Sequence, residues 1–80
     1  MSPLRFYYRE GCHLCDDMLQ ELKRLQTEWR FELIEIDIDR YPEFRDSYHT
    51  RIPLLEDNQG RCLSEYFLDQ ASLLSYLQGA

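Results

Sequence analysis

Two cysteines with two residues between them, Cys12 and Cys15, lie in the stretch REGCHLCDDM. Thiols at this spacing have two main chemistries. As a dithiol, one thiolate attacks a substrate disulfide and the second resolves the mixed disulfide. As metal ligands, they supply half of a tetrahedral zinc site or part of an iron–sulfur site shared between two copies of the chain. A third reading is an inert pair. Completing a zinc site would require His13, His49 or Cys62. His13 is adjacent to Cys12 and awkward as a co-ligand, and the other two are distant in sequence. No metal is therefore expected, and dithiol chemistry is favoured by where the pair falls in the chain.

LRFYY, residues 4–8, is short, aromatic and apolar, and predicts a strand. A turn, REG, follows. From Cys12 to about residue 28, Cys15, Met18, Leu19, Leu22 and Leu25 fall on one helical stripe. Asp16, Asp17, Glu21, Lys23 and Arg24 occupy the other face. Cys12 thus stands where a strand turns into a helix, a point where unpaired N–H groups and the positive end of the helix dipole converge. That setting stabilises a thiolate and lowers the thiol pKa. Asp16 and Asp17, in the first turn, act against it. Cys15 lies on the buried stripe, which suits a resolving thiol. His13 is expected to be an exposed helix-start residue, with a protonated imidazole beside Cys12 as the functional alternative.

The remaining elements complete the frame. FELIEIDID, residues 31–39, alternates, with Ile34, Ile36 and Ile38 opposite Glu35, Asp37 and Asp39. The phase slips between Leu33 and Ile34, which predicts a bulge, and the row of acids predicts a protected edge strand. PEFRDSYH, 42–49, opens with a helix-starting proline. IPLLE, 52–56, and RCLSEY, 61–66, predict a hairpin around the turn DNQG, with Cys62 as a small core residue. Asp69 can cap a last helix to about residue 78, with Leu73, Leu74 and Leu77 as its apolar face. The order β-α-β-α-β-β-α implies a parallel first pair with a right-handed crossover. It makes an α/β fold, a four-stranded mixed sheet covered by helices, in a single domain over 1–80.

Composition narrows the function. The formal charge is -6, from 15 acidic and 9 basic residues. This disfavours nucleic acid and anionic membrane surfaces, both of which select basic patches. No apolar run is long enough to span a membrane. The start, MSPLRFYY, lacks a charged region followed by an apolar one, so no secretory signal is expected. Three cysteines cannot all pair within one chain, and an odd count suits a reducing, cytoplasmic compartment.

The stretches FYYREGCHLCDDM, EIDIDRYPEF and RIPLLED together resemble the glutaredoxin-like branch of the thioredoxin-fold proteins. The resemblance spans nearly the whole chain and implies a thioredoxin-like sheet in order 2-1-3-4. The first and third helices would cover one face and the second helix the other. It implies a thiol–disulfide oxidoreductase of cell redox homeostasis, with Cys12 as nucleophile and Cys15 as resolving thiol. Pro53 corresponds to the cis-proline of that superfamily, packed beside the cysteines, and Ile52 to the residue whose backbone pairs with a bound peptide or glutathione. Arg9, where typical glutaredoxins carry lysine, and Arg51 are candidate partners for a thiolate or a glutathione carboxylate. His13 completes the candidate substrate-binding set.

The chain departs from the family where glutaredoxins carry a glycine pair followed by acids. Here CLSEYFLDQ follows the hairpin, and Glu65 repels a carboxylate. Weak glutathione binding and no tightly bound cofactor are expected. The substrate is then a disulfide-containing protein or a low-molecular-weight thiol compound, with a protein reductase as apt a reductant as glutathione. The chain is expected to act as a monomer. The competing reading is a thioredoxin-fold module that binds a partner protein through the same groove without turnover.

Overall fold

The computed structural model describes residues 3–79. The elements run β1 (Leu4–Tyr8), α1 (His13–Leu25), β2 (Leu33–Asp37), α2 (Pro42–Tyr48), β3 (Leu54–Glu56), β4 (Cys62–Glu65) and α3 (Gln70–Gly79). They build a four-stranded sheet in the order β2-β1-β3-β4. β1 and β2 are parallel, while β3 is antiparallel to both β1 and β4. This is the four-stranded mixed sheet that the element order implies, in the thioredoxin-like order that the resemblance implies.

β1 alternates, and each face buries a different set. Leu4 and Phe6 join Cys15, Met18, Leu22 and Leu25 of α1, Leu55 of β3 and Leu73 of α3 in one core cluster. Tyr7 joins Ile38 and Leu54 in a second, against which Phe44 and Tyr48 of α2 pack. Thus α1 and α3 cover one face and α2 the other. The central position of β1 follows from this double demand, because both faces of a strand with helices on either side must be apolar.

β2 is an edge strand, as its acids suggest, but its register with β1 runs unbroken from Leu4↔Leu33 to Tyr8↔Asp37. The expected bulge is absent. Leu33 shares a face with Glu35, on the α1 side, where Lys23 meets Glu35 at 3.3 Å. Ile36 turns to the α2 side. The apparent slip in the pattern arises because an exposed edge strand tolerates a charged residue in phase with Leu33. The sheet's irregularity lies instead in the hairpin, between Leu55 paired with Ser64 and Glu56 paired with Cys62. The hairpin turn has a local cause. The buried Asp57 carboxylate accepts the N–H groups of Gln59 and Arg61, both at 2.9 Å, and Gly60 takes the left-handed conformation, φ 82°.

α1 stops at Leu25, and residues 26–28 form turns, with the Thr27 hydroxyl donating to the Arg24 carbonyl at 2.7 Å. α2 begins at Pro42 and is fastened by Tyr48. Tyr48 stacks on Tyr7 with ring centroids 4.1 Å apart, and its hydroxyl donates to the buried Glu56 carboxylate at 2.8 Å. Burial, together with that carboxylate, raises the Tyr48 pKa above the ordinary phenol value. At α3, Asp69 accepts the Ser72 N–H at 3.1 Å and the Ser72 hydroxyl at 2.8 Å. The hydroxyl contact is the main reason the Asp69 carboxyl is held below the usual range. The buried side of α3 is Leu73, with Tyr76 and Leu77 packed beside it. Leu74 belongs to neither cluster. Positions three and four beyond Leu73 share its face, whereas the adjacent residue is turned away. No helix among the described residues is long and apolar enough to cross a membrane.

Candidate functional site

The chain leaves β1 through Glu10 and Gly11, the latter at φ 79°, and enters α1 at Cys12. Cys12 is the helix N-cap, with extended backbone angles φ -94° and ψ 109°. Its Sγ accepts the backbone N–H of Cys15 at 3.2 Å, and its carbonyl accepts the Asp16 N–H at 3.1 Å. A thiol therefore does here what a serine or aspartate oxygen ordinarily does at a helix start. The same N–H that caps the helix is a donor aimed at sulfur, which favours its anionic form.

Cys12 and Cys15 are joined as a disulfide, with Cα atoms 5.2 Å apart. Cys15 is only 1% exposed and belongs to the α1-side core. Cys12 is half-buried at the edge of that core. One sulfur is thus presented to the outside and the other sits behind it.

The Ile52–Pro53 peptide bond is cis, and Pro53 is buried at the entrance to β3. β1 and β3 pair through Tyr7↔Leu54. Continuing that antiparallel register carries Pro53 and Ile52 to the end of the sheet from which the Cys12 loop springs. Ile52 packs against both core clusters. Among the described residues, neither its N–H nor its C=O has a hydrogen-bond partner. The next carbonyl, that of Pro53, accepts the Tyr66 N–H at 2.8 Å. Main-chain groups left open beside a disulfide can pair with an incoming extended chain.

The cationic candidates are engaged elsewhere. Arg9 grips Asp39 with two bonds, at 2.9 and 3.1 Å, and Arg45 approaches the same carboxylate at 3.6 Å. The Arg9 bond is what lowers the Asp39 pKa. Arg51 is bonded to Glu65 and lies 5.8 Å from the centroid of the Tyr48 ring. His13 is exposed, with Nε2 3.6 Å from Asp17. Cys12 and Ile52 therefore pack on the core cluster that holds Cys15, with Pro53 next to Ile52 at the same end of the sheet, while Arg9, Arg51 and His13 each face a carboxylate of the chain itself. Asp39, which sequence alone marks as an edge charge, is the partner that decides the role of Arg9. Nothing in the local pattern around residue 9 announces a contact thirty residues away.

Cys62 also departs from expectation. It is exposed, because its neighbour Leu63 takes the α1-side face of β4 and α2 does not cover the opposite one. Partial desolvation against the strand and the nearby Glu65 still push its thiol upward. Among the described residues, no group of three or more His, Cys, Asp or Glu is placed to hold a metal ion.

Asp16 and Asp17 follow Cys15 directly, in the first turns of α1, where the dipole favours negative charge but a thiolate competes for the same field. The double substitution Asp16→Asn and Asp17→Asn in the reduced protein is expected to lower the Cys12 pKa. Thiolate absorbance titrated against pH reads the shift. Superimposable curves for the two proteins would show that these carboxylates do not act on the sulfur.

Residues 3–78 match the glutaredoxin-like domain family, Glrx-like (DUF836). The solution structure of protein Ne2328 from Nitrosomonas europaea is similar at 40% identity and a TM-score of 0.81, over 95% of this chain and 91% of that one. The X-ray structure of protein XcR50 from X. campestris is similar at 28% identity and a TM-score of 0.75, over 96% and 97% of the two chains. Thioredoxin 1 from Thermosipho africanus shares the fold alone, at 12% identity and a TM-score of 0.66, over 95% and 94% of the two chains. Among curated proteins none matches. A paired Cys12–Cys15 at the start of α1, a thioredoxin-like sheet and a match across residues 3–78 agree, and the chain belongs to the glutaredoxin-like domain family.

Proposed function

We propose that the protein is a thiol–disulfide oxidoreductase whose centre is the Cys12–Cys15 pair. The observation that carries this reading is the half-buried Cys12 Sγ at a helix start, accepting the Cys15 N–H at 3.2 Å, with its partner sulfur buried behind it. In the reduced protein the Cys12 thiolate attacks a substrate disulfide. One substrate sulfur bonds to Cys12, and the other leaves as a thiolate and takes up a proton. The Cys15 thiolate, its proton lost to solvent, then attacks Cys12 Sγ. The mixed disulfide breaks, the second substrate thiol departs, and the Cys12–Cys15 disulfide forms. The substrate gains two electrons and the protein loses them, and an external dithiol or pair of monothiols restores the starting state. Pro53 shapes the groove and the open backbone of Ile52 receives the substrate chain.

The reductant is proposed to be a protein dithiol in preference to glutathione, and the compartment a reducing cytoplasm. Glutathione is an anion at neutral pH and needs cations for its carboxylates. Arg9 and Arg51 are the nearby candidates, and both are bonded to acids, Asp39 and Glu65. A net charge of -6 supplies no long-range attraction either. A glutathione-coupled disulfide reductase assay, run beside a thioredoxin-coupled one, tests both parts. Turnover should appear with the protein reductant and be at least about tenfold slower with glutathione at matched thiol concentration, the equivalent of roughly 1.4 kcal/mol. Turnover in neither assay removes the oxidoreductase reading. Faster turnover with glutathione, lost on Arg9→Ala, removes the preference.

A further inference from the structure

Five large apolar side chains are exposed among the described residues: Leu14, Ile34, Tyr41, Tyr66 and Phe67. Leu14, Tyr66 and Phe67 come together around one hollow between α1 and the β4–α3 connection. Neither cysteine lines the hollow, but Leu14 lies between the two in sequence, so the hollow opens one residue along the chain from the dithiol. It encloses about 130 Å³. Small-molecule sites run to roughly 300–1,000 Å³, so this space suits one side chain of a larger molecule.

The rings are held in place. Tyr66 takes φ 66°, the one left-handed backbone among the non-glycine described residues, a conformation rarely found for a bulky side chain. It is tied at two points: its N–H donates to the Pro53 carbonyl at 2.8 Å, and its hydroxyl donates to the Thr50 carbonyl. These ties fix the ring while leaving it 42% exposed, and they deliver Phe67 to the surface at 71% exposure. Strained backbone that persists with apolar surface facing water is characteristic of contact sites. The same two bonds join this ledge to the Thr50–Pro53 segment, whose Ile52 backbone is open.

The border of the hollow is acidic. Asp17 and Glu21 line it. Among the described residues the ion-pair partner of Asp17 is the exposed His13, at 3.6 Å, and Glu21 accepts a hydrogen bond from the neutral Gln70 amide at 3.0 Å. Arg24 is a neighbouring cation, beyond Glu21 on the same helix. An apolar hollow with a negative rim selects an apolar side chain with a positive neighbour.

We infer that this hollow is a specificity pocket for a polypeptide substrate, taking an apolar side chain two positions before the substrate's disulfide cysteine, with a lysine or arginine between the two meeting Asp17 and Glu21. The inference rests on the oxidoreductase reading and names its substrate class. The test uses the pre-reduced protein and three disulfides: a peptide disulfide with Leu-Lys before its cysteine, one with Ser-Glu there, and oxidised glutathione. The second-order rate constant should be highest for the Leu-Lys peptide. Phe67→Ala should cut the ratio of the Leu-Lys rate to the glutathione rate about tenfold, the scale of one lost anchor. The double variant Asp17→Asn, Glu21→Gln should shrink the preference for Leu-Lys over Ser-Glu severalfold, and added salt should do the same. Equal rates for the two peptides, or an unchanged ratio in Phe67→Ala, overturn the inference while the dithiol reading stands. If the protein reduces no disulfide, the dithiol reading falls. NMR titration with the Leu-Lys peptide carrying serine for cysteine then decides the pocket alone: saturable shifts at Leu14, Tyr66 and Phe67 support it, and their absence overturns it.

Discussion

Cys12→Ser is expected to reduce disulfide exchange to the uncatalysed background, whereas Cys15→Ser is expected to leave attack intact and trap the mixed disulfide. The asymmetry follows from placement. Cys12 Sγ sits at the helix start, accepts the Cys15 N–H at 3.2 Å and is half-buried, so it can meet a substrate. Cys15 is 1% exposed, within the core formed with Met18 and Leu22, so its sulfur can reach only what is already bound to Cys12. A serine hydroxyl is a far weaker nucleophile toward sulfur near neutral pH, because the thiolate is the reactive species. Intact-mass spectrometry after mixing with a peptide disulfide separates the outcomes. Cys15→Ser should carry one peptide, releasable by dithiothreitol, and Cys12→Ser should carry none. Adducts of equal yield on both variants would mean that burial of Cys15 does not order the two steps.

The placement behind that prediction was legible in the sequence. An aromatic strand, a glycine-containing turn and an amphipathic stripe including Cys15 force Cys12 to the helix start, whatever the rest of the chain does. The sheet order was legible through the element order and the resemblance to the glutaredoxin-like branch, and the two inner strands bear it out: β1 buries Leu4 and Phe6 on one face and Tyr7 on the other, and β3 buries Leu55 and Leu54 likewise. Contacts between exposed charges were not legible. Arg9 reads equally well as a thiolate partner or as a surface residue, and its choice of Asp39 depends on how the end of β2 passes the loop after β1. Cys62 was misread because alternation along a short strand says which residues share a face, and leaves open which face is covered. The aromatic ledge at Tyr66 and Phe67 left only a negative trace, the missing glycine pair. The left-handed turn that exposes both rings depends on carbonyl partners at Thr50 and Pro53, more than ten residues away.

The last helix gives the sharpest stability test, because its pattern offers two adjacent leucines and the fold uses one. Leu73 is fully buried and is the one residue of α3 inside the core cluster, with Tyr76 and Leu77 packed beside it. Leu74 is half-buried and joins neither cluster. Truncating a buried leucine removes its transfer free energy and leaves a cavity, together about 2–5 kcal/mol. A domain of this size has only about 5–15 kcal/mol in total, and small domains lose roughly 4–8 °C of melting temperature per kcal/mol. Leu73→Ala is therefore expected to lower the melting temperature by about 10 °C or more, because α3 has no second buried anchor to hold it on the sheet. Leu74→Ala should cost well under half as much, since its removal opens no cavity in either cluster. Thermal unfolding followed by far-ultraviolet circular dichroism on the reduced proteins measures both, with the disulfide removed as a variable. Equal losses would put Leu74 in the core and rotate α3 by one residue, turning Tyr76 away from the cluster it now packs against.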